Sequence, residues 1–489
     1  MSGMTDPTPP PWRRAALWLA PAAAVLVWLS PAPWGLAEPA WRLVGLALWM
    51  VAWWLTEAVP LPVTALLPLA VAPLLGIQGE GDTAASYAHP LIFLFLGGFV
   101  LAAALERSGL HRRIALSLVH RLGAVGGGSG ISAGGIVAGF MAASAFLSMW
   151  ISNTATAMLM YTLGRSLLGS LEERLPDRPA LVRFGIALML GIAYACSIGG
   201  AGTLIGTPPN ALMASFLSST YGVEITMGRW LLLGLPFVLV MLPAAWWWLT
   251  RGAFRLADVD LGPARAHLEA ERRQLGAPSR RERFVLVVFA ATAAAWVLRG
   301  PLAAATGWPV TDTGIAMTAA LVLLVVPLPG GGWKTAVDWP AVERLPWGVL
   351  ILFGGGLALA GAFQSTGLAE ALGRSVAGLE GVPPWLLLLA VTAGIVMLTE
   401  LTSNTATAAT FLPIVGAVAV GLGLPPALLC APVALAASAA FMMPVATPPN
   451  AIVFAYEEMR IGHMARAGMV MNLAAVATIT LLVLLLGTP

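Results

Sequence analysis

Two polar phrases are each written twice in this chain, both times inside apolar runs and in the same order. Ser-Asn-Thr-Ala-Thr starts at Ser152 and again at Ser403, and Thr-Pro-Pro-Asn-Ala starts at Thr207 and again at Thr447. A third pair precedes them: GGFVLAAALERSGL (Gly97–Leu110) aligns with GGLALAGAFQSTGL (Gly355–Leu368). The spacing between copies shrinks from one pair to the next, as loop trimming after a duplication leaves it. One shared pentapeptide can arise by chance; three shared segments in one order imply an internal repeat.

The surroundings of these phrases set the medium. The chain is 58% hydrophobic and 10% charged, where a soluble domain carries about 25% charged residues. Charge this scarce, with many long apolar runs, means an all-α polytopic membrane protein. The 19 Trp against 5 Tyr suit interfacial anchoring by indole rings. A net charge of +3 does not point to nucleic acid, because the basic residues sit in loops, where they set orientation. Cys196 and Cys430 lie in apolar segments without metal-type spacing, so two free, buried thiols are expected. The opening MSGMTDPTPPPWRR runs straight into an apolar stretch, which reads as a retained helix rather than a cleaved leader.

Apolar segments long enough to cross a bilayer fall at about 15–32, 41–57, 60–77, 91–106, 182–218, 229–250, 284–299, 312–328, 346–363, 427–456 and 465–487, eleven in all. Two more stretches, about 131–168 and 384–421, have a polar break in the middle and read as re-entrant hairpins. Loop charge supports that reading. The 107–121 loop carries Arg107, Arg112, Arg113 and Arg121, and the 163–183 loop carries Arg165, Arg174, Arg178 and Arg183. The 251–283 loop carries eight arginines, mixed with acids and partly helical at ARAHLEAERRQ. With the N-terminus cytoplasmic and both hairpins returning to the side they entered, every Arg-rich loop falls inside and the C-terminus falls outside. Five crossings then separate the two copies of the Gly-Gly segment. Five is odd, so the second copy is inverted, an inverted-topology repeat with opposed hairpin tips meeting near the midplane. The chain divides into 1–40 with the first helix, a first repeat over 41–250, a charged cytoplasmic loop over 251–283, and a second repeat over 284–489.

Irregular backbone at membrane depth is tolerated only where it is buried in protein or lines a wet cavity. Ser-Asn-Thr ends one half-helix and starts another, since these side chains compete for backbone hydrogen bonds and cap well. In Thr-Pro-Pro-Asn, Thr207 or Thr447 caps, and Pro208 or Pro448 takes the first helical position. Helix starts at such breaks aim N–H groups at an anion; helix stops aim carbonyls at Na+. None of the breaks contains Arg or Lys, so a bound dianion would rest on dipoles, hydroxyls, amides and nearby Na+.

With these motifs the chain resembles the divalent-anion sodium symporters, the family of the INDY-type dicarboxylate carriers, over nearly its whole length. The resemblance implies one Na+ site at Ser148, Ser152, Asn153 and the Gly206 carbonyl. It implies a second at Thr399, the Thr402 carbonyl, Asn404 and the Ala446 carbonyl. The substrate carboxylates would meet Asn153, Thr154, Thr207, Asn404, Thr405, Thr447 and Pro448. It further implies a homodimer in a bacterial-type plasma membrane and an elevator motion. In that motion the hairpins and the 182–218 and 427–456 helices, with 229–250 and 465–487, carry the site past the remaining spans. Amphipathic stretches at SGLHRRIALSLVHRLG and TGLAEALGRSVAGL read as interfacial, either linkers that hinge the motion or ordinary loop helices. The function expected is sodium-coupled import of C4-dicarboxylates such as succinate, malate or fumarate. Tricarboxylate or sulfate uptake, proton coupling and exchange are the alternatives.

Other polar residues are weighed against that core. Glu57 closes a span beside a Pro-bounded turn, a capping or scaffold position. Glu400, in LTELTSNT, either couples protons or holds the hairpin tip, and the structural role is favoured. Asp312 opens a span where an acid suits the positive helix end. The five histidines are scattered without metal spacing. A channel would need a continuous polar stripe, and an intramembrane enzyme a nucleophile–base or metal set at depth. The breaks supply neither, so the chain reads as a transporter and not an enzyme.

Overall fold

Hydrocarbon offers no partner to a backbone N–H or C=O, so each apolar segment must satisfy its own as a helix. In the computed structural model all eleven segments are helical, as are both arms of each interrupted stretch. Among the described residues β-pairing is confined to one bridge, Pro327 to Thr335. The structure describes residues 11–33, 35–123, 132–172, 178–256, 262–328, 333–375, 378 and 381–487. The extreme N-terminal segment, residue 131 at the start of the first hairpin, Arg174 and part of the 251–283 loop lie outside the described residues.

Three expected spans differ in detail. The 60–77 segment is not one helix but two short pieces, Leu61–Thr64 and Leu67–Leu74. Pro62, Pro68 and Pro73 remove backbone donors and interrupt the ladder. Arg280–Val297 turns through 82° at Leu298 into Arg299–Thr306. Met227–Trp247 runs on as a π-helical turn, Trp248–Ala253. By length and composition alone, six of the described helices are able to cross a membrane unaided.

The polar phrases break the chain where the sequence places them. The first hairpin is Ala133–Ser148 and Asn153–Glu172; the second is Pro384–Thr399 and Asn404–Gly421. The first broken helix is Arg178–Gly200 and Pro208–Tyr221; the second is Pro426–Ala437 and Pro448–Phe454. The halves are traded between repeats. Pro208–Tyr221 packs on Pro426–Ala437 and Asn404–Gly421, while Pro448–Phe454 packs on Arg178–Gly200 and Asn153–Glu172. Symmetry extends to the Gly-Gly helices. Any side chain at Gly97 would collide with Ala316, and any at its copy Gly355 with Ala65. Each Gly-Gly helix thus touches a helix of the opposite repeat at backbone distance.

Burial is graded outward from the breaks. In Arg178–Gly200 every residue from Phe184 to Gly200 is buried, whereas Ile461–Leu486 shows Leu473, Leu481 and Leu485 to the outside. Apolar exposure on a peripheral helix is what a hydrocarbon solvent permits. The amphipathic stretches form helices Leu110–Gly123 and Leu368–Ser375, and the charged loop contains helix Gly262–Gln274. Both cysteines are free and buried.

Candidate functional site

At the first tip, helix Ala133–Ser148 stops and Asn153 starts the return arm. The Ser148 hydroxyl donates to Asn153 Oδ1 across the break, and Ser152 Oγ accepts the Ala155 N–H at 3.1 Å, capping the new helix. Beside it, the first broken helix opens at residues 201–207. Thr203 Oγ1 donates to the Met149 carbonyl at 2.6 Å and accepts the Gly206 N–H at 3.0 Å, tying break to tip. Asn210 Nδ2 bridges the carbonyls of Ala201 (3.2 Å) and Thr203 (2.8 Å). A Cβ at Gly200 would sit 2.6 Å from Asn153 Oδ1 and 3.1 Å from the Gly206 carbonyl, so any side chain there displaces Asn153. Three of the four residues expected at the first cation site, Ser148, Asn153 and Gly206, therefore converge. The Ser152 hydroxyl is turned to its own helix.

The second tip repeats the design. Thr399 Oγ1 lies 2.8 Å from Asn404 Oδ1 and 2.9 Å from the Ala437 carbonyl. Asn450 Nδ2 bridges the carbonyls of Ala440 (3.2 Å) and Met443 (3.0 Å), as Asn210 does in the first copy. Thr402 pairs with Thr407, hydroxyl to hydroxyl, at 2.7 Å. The capping expectation holds for Thr447, whose Oγ1 accepts the Asn450 N–H at 3.2 Å. It fails for Thr207, which has extended backbone but no side-chain cap. The Thr207 hydroxyl instead faces Ser438 Oγ of the other repeat, 3.5 Å away.

Glu400 has a defined place. Its buried carboxylate accepts the N–H groups of Phe441 (2.7 Å), Met442 (2.9 Å) and Met443 (2.9 Å), and Asn472 Nδ2 at 2.8 Å. Four donors on one carboxylate hold the unwound 441–443 strand against the hairpin tip, the structural role favoured from sequence. Asn472, Thr203, Asn210, Asn450 and Ser438 were not singled out by sequence reasoning. Asn472 left a signal, a lone amide in an apolar helix; the asparagines 210 and 450 close the repeated Thr-Pro-Pro-Asn phrase.

One cavity of about 910 Å³ gathers the site. Asn153, Thr154, Thr207, Asn404, Thr405, Thr447 and Pro448, all seven expected substrate residues, line it. Ser152 and Gly206 from the first cation set line it too, as do Thr402 and Ala446 from the second. Ser148 and Thr399 lie behind the lining, fully buried. The helix starts at Asn153, Pro208, Asn404 and Pro448 all lie in the lining and bring the partial positive charge of such ends to it, while the stops at Ser148, Gly200, Thr399 and Ala437 are not among the lining residues. The donors offered to a cation are all hard oxygens, which suits an alkali or alkaline-earth ion.

The lining also includes Trp12, Arg13, Glu57 and Arg344. Glu57 closes helix Glu38–Thr56 in the left-handed region, φ 48°, and pairs with Arg13 at 2.9 Å. Asp312 opens its helix, accepts the Met227 N–H at 2.7 Å and lies 3.7 Å from Arg299. Outside the membrane spans, Arg107 grips Asp338 through two bonds of 2.6 and 2.8 Å. That bond holds the Asp338 carboxyl below its ordinary value.

Two helix pairs broken at polar tips, traded half-helices and a shared polar cavity at the breaks are the features of a membrane transport protein, a class built around inverted repeats. Comparison with known proteins gives the family. The profile of the sodium:sulfate symporter transmembrane region matches residues 12–489. The chain belongs to that family, whose members are transport proteins rather than enzymes. It is 39% identical over 479 residues to the sodium-dependent dicarboxylate transporter SdcS of Staphylococcus saprophyticus, covering 96% of this chain and 91% of that one. SdcS of Staphylococcus aureus (strain USA300) is 39% identical over 448 residues, covering 90% and 84%. Among solved structures, the YdaH transporter of Alcanivorax borkumensis aligns with TM-score 0.52 and 16% identity, over 92% of this chain and 98% of that one. That likeness is one of fold.

Proposed function

We propose that the chain is a sodium-coupled symporter that imports C4-dicarboxylates. The observation that carries this is the single cavity in which the duplicated tips and turns converge with no basic residue among them. Relatives at 39% identity named as sodium-dependent dicarboxylate transporters support the same reading. A dianion in such a cradle leans on helix N-termini, hydroxyls and the Asn153 and Asn404 amides. Its charge is then offset by co-bound Na+, carried with it as a second substrate. Ser148, Asn153 and Gly206 supply one Na+ site, which Ser152 would join by turning its hydroxyl from the Ala155 N–H; Thr399, Thr402, Asn404 and Ala446 supply the other. Because Asn153 and Asn404 face both ion and anion, binding of one favours binding of the other.

The topology belongs to the same reading. With the N-terminus cytoplasmic and the C-terminus outside, the helix ends carrying Arg13, Glu57 and Arg344 lie inside, so the cavity opens inward. The hairpins and broken helices, with Met227–Trp247 and Ile461–Leu486, form the moving body of an elevator. The other spans form the scaffold of a homodimer. The repeats then run over 41–250 and 284–489, joined by the 251–283 loop.

The test is uptake of labelled succinate by reconstituted protein, with sodium or choline outside, against succinate, citrate and sulfate as competitors. Sodium-dependent uptake blocked by succinate is the expected result. Equal uptake in choline removes the coupling, and competition by sulfate without succinate reassigns the substrate.

A further inference from the structure

We propose that the passage between the cradle and the Arg-rich face holds a second, weaker anion station centred on Arg344. It would take the dicarboxylate on its way in or out, and so rests on the substrate reading above.

The cavity lining is divided by charge. Among the lining residues the hairpin tips and broken-helix turns carry no cation, and the two cations, Arg13 and Arg344, come from other segments. Arg13 is already matched by Glu57 at 2.9 Å. That pair is built in: a non-glycine residue occupies the left-handed region at a cost, and Glu57 does so at φ 48°. Arg344 differs. It ends the short helix Trp339–Glu343, where its Nε donates to the Pro340 carbonyl at 3.0 Å. That bond steadies the guanidinium by one nitrogen, and Nη1 and Nη2 bond no described residue. The acid that opens the same short helix, Asp338, is taken by Arg107. Among the described lining residues Arg344 is thus the cation without an acidic partner, its positive charge left to attract a carboxylate.

The physical consequence is directional. A dianion leaving a cradle built on dipoles meets a full positive charge at the mouth, and one approaching from that side is concentrated there. For a dianion about 8 Å from one guanidinium in water, the effect on local concentration is about fivefold, and salt screens it. The other reading of an exposed Arg at a helix end is orientation alone, which predicts no dependence on substrate or on the face from which substrate is loaded.

The experiment compares full-length wild type, Arg344→Gln and Arg344→Lys in vesicles of both orientations. Succinate KM is measured from each face at low and high ionic strength, with Na+ held constant. Arg344→Gln should raise KM about threefold to fivefold from the Arg-rich face at low ionic strength. The gap should close at high salt, with KM from the other face unmoved and Arg344→Lys close to wild type. Unchanged KM from both faces, an equal change from both, or Arg344→Lys as poor as Arg344→Gln overturns the station. Wild-type sodium-driven succinate uptake is the control for the substrate reading. If wild type carries sulfate instead, that reading falls alone, and the same comparison with sulfate decides the station.

Discussion

The two breaks that face each other across the cavity are copies of one design held together by different chemistry. In the first, residues 201–207, glycines let the strand fold on itself: the Gly202 N–H reaches the Gly199 carbonyl at 2.8 Å, and one hydroxyl, Thr203, joins strand to tip. In the second, residues 438–447, the strand is longer, and three successive amides turn to Glu400. Duplication preserved what faces the cavity and let the support behind it diverge. A stretched strand with orphaned amides in a dry interior requires an acceptor, and a carboxylate serves three at once. The first break, closed by its own glycines, turns one amide, that of Gly206, to the Thr203 hydroxyl and has no carboxylate.

Removing the acceptor gives the largest contrast. Glu400→Ala strands three amides and Asn472, so the expected loss is about 3 kcal/mol or more, with uptake near background. Thermal unfolding in detergent and succinate uptake measure the two. Retained stability in Glu400→Ala would break the distinction between the breaks.

Next comes Gly200→Ala. Its Cβ would press on Asn153 Oδ1 at 2.6 Å, and overpacking of this kind costs about 1–3 kcal/mol. The sodium concentration for half-maximal uptake should rise about tenfold, the factor equivalent to roughly 1.4 kcal/mol. The copy of Gly200 in the second repeat is Ala440, which already carries a Cβ, so Ala440→Gly should leave sodium activation nearly unchanged. Equal effects at both positions would contradict the asymmetry.

Much of this was legible in the sequence. The paired phrases located both hairpins and both breaks, because a polar segment inside an apolar run has few uses other than a helix interruption at a site. The resemblance to the symporter family named seven residues for the substrate, and all seven line one cavity. The 60–77 segment was less legible, since hydropathy counts apolar residues but ignores the prolines that divide it. The partner of Glu400 was not legible at all: Asn472 lies in another helix, and only packing brings the two together. Nor could periodicity show that Thr207 faces Ser438 rather than capping its own helix.

A smaller effect is expected at Thr203→Val. One hydroxyl bridge is lost while the glycine-closed strand remains, about 1 kcal/mol, read as a modest fall in melting temperature. A loss as large as that of Glu400→Ala would show the first break to be as dependent on one side chain as the second.

Smallest is the surface tie. Arg107 lowers the Asp338 carboxyl below the ordinary aspartate value of 3.8. A depressed acid contributes stability above its unfolded value and loses it as pH falls through the folded one. Asp338→Asn should therefore cost a little stability at neutral pH and none once pH drops well below 3.8, in melting curves against pH. A cost that persists in acid would assign the loss to packing instead.

The central claim is that the two tips form one site in which each contributes a sodium pocket and part of an anion cradle. Sodium activation of succinate uptake in proteoliposomes, measured for wild type, Asn153→Ala and Asn404→Ala, tests it most directly. The account predicts a sigmoidal sodium curve for wild type, and in each variant a shallower curve together with a raised succinate KM. A variant that weakens succinate binding while leaving sodium activation intact, or one tip that proves dispensable, would contradict it.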